Sequence, residues 1–83
     1  MDLREQATAL LEEFTLCMRS QPKHNAVELQ IEKDSCAQWA YNLNNQLAWG
    51  DELDIAEACY QLEPRLAQLK QKVIIEILQY GTI

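Results

Sequence analysis

The chain has 83 residues, 48% of them hydrophobic, with thirteen acids against seven bases and a formal net charge of −6. That is one domain, residues 1–83, of a size that buries only ~60–65% of the surface its unfolded chain exposes, so a partner subunit would add core. The acidic balance disfavours a phosphate-tracking nucleic-acid binder, which needs a basic stripe, and an anionic membrane surface; it suits a basic partner or plain solubility.

Apolar residues recur at steps of three and four in three stretches, the period of one helix face. Leu3, Ala7, Leu10, Phe14 and Cys17 set the first. Asp2 and Glu5 have capping-box spacing at its start, and Leu11 and Met18 widen the stripe enough to face more than one neighbour. The helix is expected to stop near Ser20, because a residue before proline, here Gln21 before Pro22, avoids the helical region. Pro22 to Asn25 then reads as a loop, with His24 a solvated loop residue.

The second stretch holds Leu29, Cys36, Ala40, Leu43 and Leu47, with Lys33 in the gap. It has two candidate starts, Asn25 with Glu28 and Ser35 with Gln38. Val27, Leu29 and Ile31 alternate with Glu28, Gln30 and Glu32, which is the period of a strand. A short strand needs a partner, and no second alternating run exists. One helix from about Ala26 to Trp49, irregular near Lys33–Ser35, is the favoured reading, with a strand over residues 26–33 as the alternative. Gly50 ends it.

Asp51, Glu52, Asp54 and Glu57 open the third stretch. Acids in a first turn gain ~0.3–1 kcal/mol each from the helix dipole, a stronger reading than a metal cluster. Ile55, Cys59, Leu62, Leu66, Leu69, Val73 and Ile77 keep one register through Pro64, although an interior proline costs ~3 kcal/mol. A single Pro-kinked helix from Asp51 to about Tyr80, stopped by Gly81, is expected; two helices broken at Pro64 are the alternative. At 1.5 Å per residue the third helix is on the order of 45 Å long, the first about 27 Å and the second about 35 Å. The first cannot cover the whole third, and Val73–Leu78 is apolar over a wide arc. The fold expected is all-α: a small three-helix bundle with a long third helix and an antiparallel helical hairpin as its core.

Trp39, Leu43, Gly50-Asp51, Ala56, Tyr60 and Pro64 resemble a tetratricopeptide hairpin. The spacing departs from that family's after Gly50, and no second copy of the unit exists in the chain. The resemblance implies a helix–turn–helix hairpin with similar packing needs rather than membership.

Little in the sequence points to chemistry. There is no nucleophile elbow, no Cys–His proximity and no Gly-rich phosphate loop. Glu28 and Glu32 lie one turn apart but make no two-helix array of the kind that holds Mg²⁺. Cys17, Cys36 and Cys59 fall one per helix on the apolar faces, without the close spacing of a thiolate metal site, and read as small buried hydrophobes. No enzyme activity, metal or cofactor is therefore expected. The first six residues, MDLREQ, are polar and no run approaches a ~20-residue membrane span, so the chain reads as soluble and cytoplasmic.

What remains is surface. Val73, Ile74, Ile77, Leu78 and Tyr80 are expected to form one partner-binding patch, with Tyr41 and Trp49 as a second. Arg19 and Lys23 are candidates to stack near Trp39, Tyr41 and Trp49, although the sequence does not place them there. The function expected is a non-catalytic protein–protein interaction module, an adaptor, co-chaperone or inhibitor that dimerises or binds a larger protein, with no nucleic acid, membrane or small-molecule substrate. In size, charge and helicity it resembles small secretion co-chaperones and protein inhibitors. The rival readings are a nucleic-acid-associated regulator and an all-α metal-dependent nucleotide hydrolase.

Overall fold

A computed structural model describes residues 2–23 and 27–82. Three helices make up the fold: α1 (Leu3–Arg19), α2 (Val27–Trp49) and α3 (Glu52–Tyr80). Residues 27–33 are the first turns of α2, so the strand alternative fails. Tertiary burial decides this: Leu29 and Cys36 are one face of a helix and both are buried against the same core. Ser35 lies inside the helix rather than at its start, and Asn25, Ala26 and His24 fall outside the described residues.

Side-chain contacts fix the register. Gln6 Nε2 donates to Glu63 Oε1 at 2.9 Å, and Lys70 Nζ donates to Glu13 Oε2 at 3.4 Å. Both pairs are 57 residues apart, so α1 and α3 run in the same sense. Residue numbers on α2 fall as those on α3 rise: Arg65 lies over the Trp39 ring, and Lys72 meets Glu32 at 3.3 Å. The α2 and α3 helices therefore run in opposite senses, as a two-residue Gly50-Asp51 link requires.

The core is one cluster. Leu43, Ile55, Leu62 and Leu69 are fully buried, with Ala7, Leu29, Cys36, Ala40, Cys59, Leu66 and Val73 around them. Leu3, Leu10, Leu11, Phe14, Trp39, Leu47 and Ile77 close its edges. The tail pairs with the segment that follows α1: Lys23 N–H donates to Gly81 O at 2.7 Å, and Pro22 bridges Thr82. Gly81 has φ 80°, a left-handed conformation that glycine adopts without strain.

The helix ends differ in their chemistry. At α3, Asp54 N–H donates to Asp51 Oδ1 at 2.9 Å and Asp51 N–H donates to Asp54 Oδ2 at 3.3 Å, a reciprocal capping box. The box expected at α1 does not form: Asp2 is the N-cap, but its side chain makes no capping bond among the described residues. Asp2 is exposed, so water can satisfy the free donors there. Gly50 is not left-handed. Its value is space: a Cβ there would sit 3.0 Å from Gln46 O and 2.9 Å from Asp54 Cβ.

The α3 helix is continuous through Pro64, so the break alternative fails. Pro64 and Tyr60 are both exposed, which leaves the Tyr60 carbonyl, deprived of its N–H donor, open to water. One position on, Arg65 Nη1 donates to Gln61 O at 2.7 Å. The same guanidinium stacks 4.0 Å above the Trp39 ring. Helix α3 alone carries Arg65 to the α2-facing flank, where Trp39 lies.

Candidate protein interface

Seven residues are expected to bind a partner, and the structure separates them. Val73 is 5% exposed and belongs to the core, and Ile77 is partly buried against the same cluster. The register explains this. With a 57-residue offset, α1 lies alongside α3 from about Tyr60 to Glu76, and thus covers the inner side of the arc that looked too wide to bury. Ile74 and Leu78 stay outside at 53% and 80% exposure, and Tyr80 is half exposed. Trp49 is 89% exposed at the α2–α3 turn. Tyr41 is exposed two residues on from Trp39, hence on the opposite side of α2 from the Arg65 stack. Of the first expected patch, Ile74, Leu78 and Tyr80 therefore remain at the surface.

What the structure joins instead is the outer face of α3. Leu53, Glu57, Tyr60, Pro64, Ala67, Gln71, Ile74 and Leu78 follow one another at steps of four and three, and all are exposed. Six of the eight are apolar, and Leu53, Tyr60, Ala67 and Ile74 recur at every seventh residue. That is the repeat of a coiled-coil seam. It lies on the opposite side of the helix from a second row, Ile55, Cys59, Leu62, Leu66, Leu69 and Val73, which faces the bundle's own core. An apolar stripe running the length of a helix on the solvent side marks an interaction surface more often than an isolated exposed leucine does. Leu53 and Tyr60, at 80% and 77% exposure, are members that the sequence reading missed. The seven-residue spacing was the signal that could have found them.

Charge is distributed as unevenly as the apolar surface. The half of the bundle at the α2–α3 turn holds Asp2, Glu5, Asp51, Glu52, Asp54, Glu57 and Glu63 against Arg4 and Arg65. In the other half, six acids face five bases. Most of the formal charge of −6 therefore sits at one end.

The remaining candidates have structural occupations. Glu32, one of the two carboxylates considered for a metal, pairs with Lys72 at 3.3 Å, while Glu28 is exposed. Among the described residues no group of His, Cys, Asp and Glu is placed to hold a metal ion. Cys17, Cys36 and Cys59 are buried free thiols. Burial pushes all three up, Cys36 to about 11, with the charges of Cys17 and Glu32 adding to the shift and Arg65 opposing it. A thiol held this far from thiolate is a poor nucleophile. Among the described residues no helix is long and apolar enough to cross a membrane. Comparison with protein-family models, with curated proteins and with solved structures found no match to this chain.

Proposed function

We propose that the chain is a non-catalytic protein–protein interaction module that works through the outer face of α3. The observation that carries this reading is the exposed apolar row from Leu53 to Leu78, a second helical seam that the bundle's own core does not use. Such a face is expensive to leave in water and lies on a rigid element, the arrangement that suits helix-on-helix recognition. Ile74, Leu78, Leu53 and Tyr60 are its anchors, with Trp49 at its end. Three buried thiols with no disulfide fit a reducing compartment such as the cytoplasm.

The test is affinity capture from the native host with the wild-type chain and with a Tyr60→Asp/Leu78→Asp double variant. Both positions are exposed, so the fold should be kept, as circular dichroism will check. The reading expects the double variant to lose what the wild type holds, whether other proteins or further copies of the chain. Retention of every partner by the double variant would remove the α3 face from the account.

A further inference from the structure

We infer that the occupant of this face is a second copy of the same chain, packed with its α3 antiparallel about a two-fold axis between Pro64 and Ala67. The inference rests on the interface reading above and adds the partner and its direction.

The first argument is shape. The seam is small at its middle, where Pro64 and Ala67 sit, and larger toward both ends, at Leu53 and Tyr60 on one side and Ile74 and Leu78 on the other. An antiparallel two-fold lays Pro64 on Ala67, Tyr60 on Gln71, the stem of Glu57 on Ile74 and Leu53 on Leu78 of the other copy. Small residues then meet at the axis, where helices must approach to ~8–10 Å, and leucines close both ends. The pairing is self-complementary, which is what an isologous contact requires.

The second argument is charge. From Asp51 to Pro64, α3 carries Asp51, Glu52, Asp54, Glu57 and Glu63 and no base; from Arg65 to Tyr80 it carries Arg65, Lys70 and Lys72 against Glu76. A parallel pair would stack the acidic halves on each other. An antiparallel pair lays each acidic half on the half that holds Lys70 and Lys72, with Arg65 at the axis. Next to the seam, Glu63 then faces Lys70 of the second copy, twice by symmetry, in the flanking positions that set coiled-coil orientation. Lys70 is exposed and its contact with Glu13 at 3.4 Å uses one of three ammonium donors, so others are left for this contact.

Two measurements test the proposal. Light scattering on the full chain over a concentration series should show the mass rising toward twice that of the monomer. In parallel, Leu53→Cys and Leu78→Cys chains are mixed in a glutathione redox buffer. These positions lie ~37 Å apart along one helix at 1.5 Å per residue, and both side chains are 80% exposed. The antiparallel pair yields the mixed disulfide from the two variants together, and neither variant alone cross-links beyond the background of the wild type. A self-linked Leu53→Cys dimer would mean parallel packing and overturn the inference. So would a monomer at every concentration; in that case loss of captured partners by Tyr60→Asp/Leu78→Asp would still leave the face as an interface for a different protein.

Discussion

Replacing Pro64 by alanine should stabilise the protein, because the helix runs through a residue that opposes it. An interior proline costs ~3 kcal/mol, from one lost backbone bond and the clash of its ring with the carbonyl four residues back. Pro64 is exposed, which lets water serve the orphaned Tyr60 carbonyl, and Arg65 donates to Gln61 O at 2.7 Å one position on. Alanine also frees the unfolded chain, which works against the gain by ~0.4–1 kcal/mol. The net expectation is a gain of about 2 kcal/mol, or roughly 8–16 °C in Tm for a domain of this size. Thermal and urea unfolding followed by far-ultraviolet circular dichroism measure it directly. The same substitution should weaken the dependence on Arg65: Arg65→Met should cost less in the Pro64→Ala background than in the wild type. Unchanged or lower stability in Pro64→Ala would refute the reasoning, since it would mean that α3 does not bear the cost of a continuous helix at that point.

Further expectations follow from single residues. Leu62→Ala, at a fully buried site in the middle of α3, should cost about 2–5 kcal/mol in urea unfolding; a cost under about 1 kcal/mol would contradict the core described. Cys36 ionises in the unfolded chain near 9.0 but in the folded one only near 11, so the native state holds its proton more tightly and stability should fall as pH rises through that window. Denaturation midpoints between those pH values should drop less steeply in Cys36→Ala, and equal slopes would rule out this linkage. Gly50→Ala should lower Tm, because the new methyl would press on Gln46 O and Asp54 Cβ; an unchanged Tm would show that the turn has slack.

The three core rows were legible because each obeys the helix period and ends at a proline, a glycine or a cap. Continuity through Pro64 was legible for the same reason, since the register of Ile55 to Val73 survives it. What a single row could not reveal was how the helices slide past one another. The exposed arc was therefore expected at Val73–Leu78, whereas the offset between α1 and α3 buries Val73, partly buries Ile77 and leaves a stripe along the whole outer side of α3. Leu53 and Tyr60 were hidden by their neighbours, one among the acids of a first turn and the other beside Cys59. Arg65 escaped notice as the partner of Trp39 because that contact depends on α2 and α3 running in opposite senses. The failed box at Asp2 shows that spacing permits a capping bond without compelling it at an exposed end.

The most direct measurement of the central claim is a dilution series of the isotope-labelled chain, following backbone amide shifts by nuclear magnetic resonance. The account predicts concentration-dependent shifts along the outer face of α3, at Leu53, Tyr60, Ala67, Ile74 and Leu78, with the core row from Ile55 to Val73 little changed. Shifts confined to the outer side of α1, around Thr8 to Arg19, or none between micromolar and millimolar concentrations, would contradict it.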